Sequence, residues 1–550
     1  MSCLLNNAIQ IAINKLYSHD VKLKDEQFRA VESVLRGKDV LAVLPTGFGK
    51  SLIYQILPDV FDYMSANSHL RERCVGSLIL VVSPLNALMC DQITKLNKAG
   101  IQSFMVTEVV SENEKAQYHI SVKSLKELSC TCKILYFHAE LCVKNKSFFN
   151  VLKSPGFQER VKCLVVDEAH LIKEWKTFRP AYGKLDILGS IFANVPFLAL
   201  TATANSETKS MIIESLQLTD VELIEVNPDR ENIFYDVKNR PSHGDDKLDP
   251  ILKPVANMLK ELKLQMELTI IYGTLQTCAD CFLYFSQALK KHQYFPEGSE
   301  PISKNRLFAQ YHAECPDHEK DRIIEELTQG VCTARVLFVT IAFGMGIDIH
   351  DIRHVIHIGV PKTIEEYFQE TGRAGRDGCP SVATMYYNNF DIRSGKHQVD
   401  EVLREFATSN SCKRSIILNY FGHSLKRESD FHNCCSYHRS VCKCPTCLVV
   451  TSNSAEDQTT PAPAIEHVSY SCYQKTNIKN DLEAYRASLC YGNSFAGNIT
   501  LSTGFSIELI DLAVECCSAV KSADDVYKIL PVFSREHAHA IFEIISRHTT

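Results

Sequence analysis

The chain has 550 residues, of which 45% are hydrophobic and 23% are charged, and its formal net charge is -6. The length favours several structural units over one core, and the composition is ordinary for a globular protein. The negative net charge excludes histone-like binding to an acidic polymer, so any such binding must come from local basic patches.

The N-terminus lacks a basic stretch before its apolar residues, and the chain has no run of about eighteen apolar residues. We therefore expect neither a signal peptide nor a membrane span. Most of the 22 cysteines stand singly in apolar segments, which favours buried thiols in a reducing compartment over a disulfide framework. The exception is the segment HNCCSYHRSVCKCPTC at 432–447, where five cysteines crowd together.

Short apolar runs alternate with longer amphipathic stretches from about Lys38 to Leu200, within a first predicted unit of residues 1–228. Five of these runs predict buried parallel strands that end in polar residues: DVLAVLP, SLILVVSP, KILYF, KCLVVDEAH and PFLALTATA. Strands separated by helix-length segments indicate an α/β sheet with helices on both faces. Such sheets bind ligands at the carboxyl ends of their strands.

The same pattern resumes in residues 229–400, where LTIIYGTLQ, RLFAQYHAEC, ARVLFVTIAFGMG and HVIHIGVP predict a second α/β sheet. We interpret the polar segment NPDRENIFYDVKNRPSHGDDKLDP as the junction between the two sheets. Residues 401–448 begin with two predicted helices and end in the cysteine-rich segment. Residues 449–475 predict a flexible linker, and residues 476–550 predict a small helical module.

The segment LAVLPTGFGKS, residues 41–51, predicts a phosphate-binding loop. The standard pattern G-x-x-x-x-G-K-[ST] is met except at its first glycine position, which is Leu44. The two glycines allow a tight turn that directs backbone N–H groups at phosphate oxygens. The lysine would contact the β and γ phosphates, and the serine would bind Mg²⁺ at the start of a helix. The predicted phosphate-binding residues are Thr46, Gly47, Gly49, Lys50 and Ser51.

The segment LVVDEAH, residues 164–170, places two acidic residues at the end of a predicted strand. Asp167 is expected to hold Mg²⁺, and Glu168 is expected to orient or deprotonate the attacking water. A lone acidic pair at a strand end is usually only solvated. Its position downstream of a phosphate loop favours a hydrolytic site.

A third motif, QETGRAGRDG at 369–378, lies in the region of the second sheet. Its two arginines, Arg373 and Arg376, are predicted to lie on one face of a short helix. Guanidinium groups suit the charge that develops on a γ-phosphate, the arginine-finger role, whereas the alternative is a surface salt-bridge pair. The finger role requires both α/β units to enclose one ATP, so that opening and closing convert hydrolysis into movement.

The chain resembles the RecQ family of DNA helicases, within the DEAD/DEAH-like superfamily, over about residues 20–448. Seven segments occur in the family's order: LKDEQFRAV, LPTGFGKSLIYQ, VVSPLNALMCDQ, VVDEAHLIKEWKTFRPAY, FLALTATA, TIAFGMGID and YFQETGRAGRDG. The resemblance implies two tandem RecA-like parallel-sheet domains and a small helical zinc-binding subdomain, before the short helical C-terminal segment. It also implies an ATP-dependent helicase that moves 3′ to 5′ on single-stranded DNA and opens tailed duplexes.

The resemblance assigns further residues to the nucleotide. Gln27 corresponds to the glutamine that reads the adenine edge, and Asp348 corresponds to a residue near the ribose. Gln369 begins the arginine motif and is assigned to the nucleotide with it. The segment TATA at 201–204 resembles the motif that couples hydrolysis to strand movement.

Other segments resemble motifs that contact DNA. SPLNALMCDQ, from Ser83 to Gln92, resembles a strand-tracking motif on the DNA backbone. TIAFGMGID, which begins with Thr340, resembles a motif that faces both DNA and nucleotide. The sequence departs from the family pattern at Asn86, which replaces an aliphatic residue, and at HAEL, residues 138–141, where members usually carry A-P-E or T-P-E.

HLIKEWKTFRPAY resembles the aromatic-rich loop of the family, and it contains the single tryptophan of the chain, Trp175. Phe178 and Arg179 follow closely. An aromatic face and a guanidinium group suit stacking on an unpaired base and binding a phosphate. The alternative is a tryptophan packed between domains.

The segment SCKRSIILNYFG and the cysteine cluster resemble the zinc-binding subdomain of the family. Cys412 would supply one thiolate to a tetrahedral Zn²⁺. The family's C-D-x-C step aligns best with CSYH, which implies Cys435 and His438. The remaining ligand would be Cys434 or His432.

The same segment allows a second ligand set, Cys442, Cys444 and Cys447, because CPTC also has chelating spacing. In either set the zinc would be structural and would hold the helices together. The alternative is a group of adventitious cysteines beside a linker.

Two other functions fit parts of the pattern. RNA helicases of the superfamily also carry DEAH and GRAGR, but the long DEAHLIKEWKTFRPAY segment and the cysteine module favour DNA. A nucleic-acid-binding scaffold with weak ATPase activity would lack a catalytic group, and the chain has all of them. We expect a role in DNA repair, recombination or replication, hence in the nucleus and secondarily in the cytoplasm. The sequence indicates no protein partner.

Overall fold

The computed structural model describes residues 2–17, 21–67, 76–108, 118–127, 131–175, 179–241, 248–341, 343, 349, 351–392, 399–425, 433–442, 472–489, 505, 507–530, 532 and 535–548. These residues form two compact units. The first contains the chain up to Asp229 and Leu418–Ser424, and the second contains the remainder from Arg230 onward. Within these ranges no helix is both long and apolar enough to cross a lipid bilayer.

The first unit is built on an eight-stranded sheet in the order β4-β3-β5-β2-β6-β7-β1-β8. All its paired strands are parallel. Its strands are β1 (Val40–Val43), β2 (Leu78–Val82), β3 (Ser103–Thr107), β4 (His119–Ser121), β5 (Ile134–Phe137), β6 (Val161–Val166), β7 (Phe197–Thr201) and β8 (Glu222–Glu225). The five strands predicted for this region are therefore confirmed.

Helices cover both faces of this sheet, which explains why its central strands are apolar along their whole length. They are α1 (Ser2–Leu16), α2 (Asp25–Leu35), α3 (Lys50–Ala66), α4 (Asn86–Lys98), α5 (Ala139–Lys144), α6 (Lys146–Leu152), α7 (Pro155–Arg160), α8 (Leu171–Glu174), α9 (Asp186–Ile191) and α10 (Ser206–Leu216). Alternate residues of β1 enter different clusters: Leu41 and Val43 pack on one face of the sheet, and Val40 and Ala42 pack on the other.

The second unit is built on a six-stranded parallel sheet in the order β11-β12-β10-β13-β14-β9. Its strands are β9 (Ile233–Asn239), β10 (Leu268–Tyr272), β11 (Phe308–Tyr311), β12 (Val336–Val339), β13 (Ile352–Ile358) and β14 (Ser381–Tyr387). Its first helices are α11 (Asp249–Leu262), α12 (Leu275–Leu289), α13 (Asp317–Thr328) and α14 (Ile364–Thr371). The prediction of two α/β sheets is therefore confirmed.

One local prediction was incomplete and another was wrong. The segment interpreted as the junction does contain the boundary between the two units, at Asp229 and Arg230. It also contains β9, an edge strand whose polar, partly buried second half masked the strand pattern. The two arginines of the GRAGR motif do not lie on a helix. Helix α14 ends at Thr371, and residues 372–377 form successive turns in which Gly375 has a positive φ of 56°.

Shorter helices follow the second sheet: α15 (Glu401–Thr408), α16 (Lys413–Tyr420) and α17 (Ser436–Val441). In the described part of the C-terminal module four more helices are present, as predicted: α18 (Cys472–Ser488), α19 (Ile507–Glu515), α20 (Ala523–Ile529) and α21 (Arg535–Arg547). Apolar residues of this module, including Ile478, Leu509 and Ile541, form a cluster of their own. The predicted linker lies mostly outside the described residues.

The buried carboxylate of Asp39 joins two turns at the amino edge of the first sheet. Its Oδ1 accepts from the Phe197 backbone N–H at 2.8 Å, and its Oδ2 accepts from the Thr219 N–H at 2.7 Å. Each buried donor left without an acceptor costs about 1–3 kcal/mol. Asp39→Ala should therefore lower the stability of this unit by about 2–4 kcal/mol, measured as a lower thermal unfolding midpoint.

Glu32→Ala is the matched control, because it removes a carboxylate whose partner is an exposed Arg36 one helical turn away. Such surface pairs contribute about 0–1 kcal/mol. Equal midpoints for the two variants would contradict the role assigned to Asp39.

Candidate active site

The phosphate loop lies between β1 and α3, at the carboxyl edge of the first sheet. Gly47 and Gly49 have φ values of 78° and 87°, in the left-handed region that favours glycine. Lys50 is the first residue of α3, and its Nζ donates to the Leu44 carbonyl oxygen at 3.1 Å. The loop therefore delivers its backbone N–H groups and its lysine to the N-terminal end of a helix, where anions bind. Thr46 and Ser51 flank this turn, with partly exposed side chains.

Gln27 holds this loop from α2. Its Nε2 donates to the carbonyl oxygens of Phe48 and Gly49, both at 3.0 Å, and its Oε1 accepts from the Lys24 N–H at 2.9 Å. A Cβ atom on Gly49 would lie 2.7 Å from that Nε2. Two features therefore require glycine at position 49: its left-handed backbone conformation and the close approach of the Gln27 side chain.

The acidic pair follows β6 at the same edge of the sheet. Asp167 is buried, and burial together with the charge of Glu168 raises the pKa of its carboxyl to about 7, against the opposing effect of Lys50. Glu168 itself has a φ of 50°, an uncommon conformation that costs free energy and is concentrated at functional sites. The Ser51 hydroxyl and the two carboxylates are hard oxygen donors, so the residues present fit Mg²⁺.

His170 links the acidic pair to β7. Its Nδ1 lies 3.0 Å from Oγ1 of Thr201, and that hydroxyl donates to the Thr203 carbonyl oxygen at 2.9 Å. Because the Thr201 hydroxyl uses its hydrogen on the Thr203 carbonyl oxygen, it can only accept from the histidine. Nδ1 of His170 must therefore carry a proton and donate it to this hydroxyl. The carboxylate of Glu168 lies 3.5 Å from the same nitrogen. Sequence reasoning gave His170 no role, although it belongs to the quoted DEAH segment.

The predicted strand-tracking residues lie at the end of β2 and in α4. Ser83 is buried, and its Oγ has no hydrogen-bond partner among the described residues. Gln92 accepts from the side-chain amide of Gln55, a residue of α3. The hydrogen bond between Gln55 and Gln92 connects the predicted DNA segment with the helix that begins at the phosphate loop.

Arg179 is held by acidic and carbonyl partners. It donates to both carboxylate oxygens of Glu140, at 2.7 and 2.6 Å, and to the Pro84 carbonyl oxygen at 3.1 Å. Its guanidinium also lies 4.9 Å from the ring centre of Trp175. Trp175 is half-buried and meets Tyr182 edge to face at 5.3 Å. Sequence reasoning missed Glu140, because 39 residues separate it from Arg179.

The predicted arginines belong to the second unit, where Arg373 is buried and Arg376 is half-buried. Next to them His357, from β13, binds the carboxylate of Glu370 at 2.8 Å and stacks on Tyr272 with ring centres 5.0 Å apart.

Thr340 follows β12, and Gln369 lies in α14 with a partly exposed side chain. Phe178 and Asp348 lie outside the described residues. Sequence reasoning missed His357 and Glu370, although Glu370 belongs to the quoted arginine motif.

The structure brings together four potential metal ligands in the second unit: Cys412, Cys434, Cys435 and His438. The Sγ atom of Cys412 lies 3.7 Å from that of Cys434 and 4.0 Å from that of Cys435. The Sγ of Cys435 lies 3.7 Å from Nδ1 of His438. Sulfur ligands of a tetrahedral Zn²⁺ lie about 3.8 Å apart, given Zn–S bonds of about 2.3 Å, so these residues fit zinc.

This cluster corresponds to one of the two predicted ligand sets. Cys442 is described and is not part of it, whereas His432, Cys444 and Cys447 lie outside the described residues.

Comparison with known proteins agrees with this geometry. The DEAD/DEAH box helicase model matches residues 24–211, and the helicase conserved C-terminal domain model matches residues 260–378. An "ATP-dependent DNA helicase Q-like 2" of Arabidopsis thaliana is 31% identical over 73% of this chain and 53% of that protein. The "ATP-dependent DNA helicase RecQ" of Pasteurella multocida is 31% identical over 72% of this chain and 57% of that protein.

A "Putative ATP-dependent RNA helicase R290" of Acanthamoeba polyphaga mimivirus is 30% identical over 78% of this chain and 72% of that protein. Among solved structures, the DUF1998 helicase MrfA bound to DNA covers 76% of this chain and 51% of its own, with a TM-score of 0.53 and 17% identity. The latter likeness shows a shared fold.

Two RecA-like units with a phosphate loop, a strand-end acidic pair and an arginine motif define a protein of the DEAD/DEAH box helicase superfamily. Within that superfamily, the chain belongs to the RecQ family. It spans little more than half the length of the Arabidopsis and Pasteurella relatives.

Gly49→Ala should weaken ATP binding by about tenfold or more, because a left-handed backbone costs an alanine about 1–2 kcal/mol and its Cβ would displace Gln27. Gly47→Ala carries a similar backbone strain, but its Cβ would meet nothing within 4 Å. Both affinities can be measured with fluorescent ATP and GTP analogues. Only Gly49→Ala should reduce the preference for ATP over GTP. Equal preferences in the two variants would contradict an adenine-reading role for Gln27.

Proposed function

We propose that the chain is an ATP-dependent helicase that moves 3′ to 5′ along single-stranded DNA and separates duplexes. The observation that supports this most is the assembly of Lys50, Ser51, Asp167 and Glu168 at one edge of the first sheet. A scaffold protein with vestigial ATPase activity would not need all of these groups in place.

The residues of the first unit have separate roles in ATP hydrolysis. Lys50 binds the β and γ phosphates, and Gln27 reads the base. Glu168 orients the attacking water and takes its proton, while His170 fixes the position of Glu168 relative to Thr201. When bound, Mg²⁺ supplies charge stabilisation for the phosphoryl group, held by Ser51 and Asp167. In the second unit, Arg373 and Arg376 are the proposed arginine-finger residues.

Single-stranded DNA and tailed duplexes are the proposed substrates. The names of the plant and bacterial relatives support DNA, whereas the name of the viral relative supports RNA as the second candidate. Trp175 offers a half-buried aromatic ring at the edge that carries Ser83. With such substrates the protein would act in DNA repair, recombination or replication, and therefore in the nucleus.

Strand displacement on 3′-tailed DNA, 5′-tailed DNA and tailed RNA duplexes tests this proposal, with Lys50→Ala as the inactive variant. We expect ATP-dependent opening of the 3′-tailed DNA alone and a loss of at least about a hundredfold in the variant, since the lysine bears directly on the transferred phosphate.

Opening of RNA duplexes alone would support the second candidate. DNA binding without opening and without DNA-stimulated ATP hydrolysis would show a scaffold instead of a motor.

We also propose that Cys412, Cys434, Cys435 and His438 bind one structural Zn²⁺. Cys412 precedes α16, Cys434 and Cys435 precede α17, and His438 lies in its first turn, so the metal would join two short helices. Arg414, two residues after the first ligand, donates to the Arg230 carbonyl oxygen at 2.7 Å and to the Ile233 carbonyl oxygen, at the start of β9. The site is thereby attached to the second sheet.

Metal analysis of the purified full chain should find one zinc per molecule, and Cys435→Ser should lose it. Cys442→Ser is the matched control, because Cys442 is a buried cysteine of the same segment that is not part of the cluster. Retention of zinc by Cys435→Ser, or its loss from Cys442→Ser, would contradict the ligand set.

A further inference from the structure

The imidazole of His138 bridges two adjacent turns at the carboxyl edge of the first sheet. His138 directly follows β5, and Ser83 directly follows the neighbouring β2. The Nδ1 of His138 lies 3.1 Å from the Ser83 carbonyl oxygen, and its Nε2 lies 2.6 Å from Oδ1 of Asn86. One ring therefore holds both ends of the turn between β2 and α4.

The two partners of this ring differ in what they can do. A backbone carbonyl oxygen only accepts, so Nδ1 must carry a proton in every state that keeps this bond. The other partner is a primary amide, which can present either its oxygen or its NH₂ group. A protonated imidazole donates from Nε2 to the amide oxygen. A neutral imidazole instead accepts there, which requires the Asn86 amide to turn over.

The protonation of His138 consequently decides which group Asn86 directs away from the ring. With the imidazole charged, the NH₂ group of the amide faces outward as a donor. With the imidazole neutral, the oxygen faces outward as an acceptor. A phosphate oxygen accepts hydrogen bonds and carries negative charge, so only the first arrangement favours it. Asn86 is exposed, and its amide can make such a contact.

The charged groups around the ring are Arg179, from the segment after α8, and Glu140, from α5. Burial lowers the pKa of His138, and Arg179 lowers it further, whereas Glu140 and the Ser83 carbonyl raise it. The neutral imidazole therefore predominates near neutral pH, and protonation occurs below the usual histidine range.

We propose that His138 is a positioning residue that orients the Asn86 amide toward a nucleic-acid phosphate, so that its protonation strengthens binding of the strand. This inference rests on the proposed strand-tracking role of the segment from Ser83 to Gln92. His138 and Asn86 both depart from the family pattern, and His138 acts on the strand only through the Asn86 amide that it orients.

The test is the affinity of the full chain for a fluorescein-labelled single-stranded DNA without nucleotide, by anisotropy at constant salt between about pH 8 and pH 5.5. Affinity for DNA should rise toward low pH in both proteins, but by about three- to tenfold more in the unmodified chain than in His138→Ala. A difference of this size corresponds to one net hydrogen bond. Asn86→Ala, a surface change, should lose the same increment. The double variant should equal either single variant.

His119→Ala is the matched control, because His119 is a half-buried histidine of β4 whose pKa is also lowered by burial. It should keep the full pH dependence. In steady-state ATP hydrolysis, the lost increment in Asn86→Ala should appear as a higher KM for DNA at low pH.

An increment that survives in Asn86→Ala, or one that disappears in His119→Ala, would overturn the proposal. Failure of the unmodified chain to bind DNA at any pH would overturn the proposed function as well. Strand displacement at neutral pH reports on that function separately, since it does not depend on the pH increment.

Discussion

The buried carboxyl of Asp167 is the group on which the site of the first unit depends. Removed from water at the end of β6 and placed beside Glu168, it holds its proton up to a pH of about 7, and the nearby Lys50 opposes this only in part. A second positive charge near the carboxyl would favour its ionised form. Binding of a cation at Asp167 and loss of its proton are therefore linked, and both occur close to Lys50 of the phosphate loop.

Three turns at the carboxyl edge of the first sheet are tied together by side chains. His138 joins the turns after β5 and β2, while Arg179 joins the segment after α8 to Glu140 and to the Pro84 carbonyl oxygen. Because Arg179 makes two charged hydrogen bonds to Glu140, moving it onto a phosphate would require an exchange of partners. Its more direct effect is to fix Trp175 relative to the turn that carries Ser83.

The parallel strands and the phosphate loop could be predicted because apolar runs and glycines are local signals. The strand β9 could not, since it lies at a sheet edge and its polar second half resembles a linker. The pairing of Arg179 with Glu140 and of His138 with Asn86 joins segments far apart in the sequence, so no spacing indicates it. Likewise, CSYH and CPTC have equivalent chelating spacing, and only the approach of Cys412 in three dimensions favours the first.

The cysteine cluster packs against β9, the strand at one edge of the second parallel sheet. Tyr235 of β9 forms a bridge with Cys435, and its N–H donates to the Cys434 carbonyl oxygen at 3.4 Å. Arg414 covers the carbonyl groups at the beginning of the same strand. An uncovered edge of this kind is a template for strand pairing between molecules. The small subdomain therefore covers the beginning of an edge strand that would otherwise be open to pairing with a strand of another molecule.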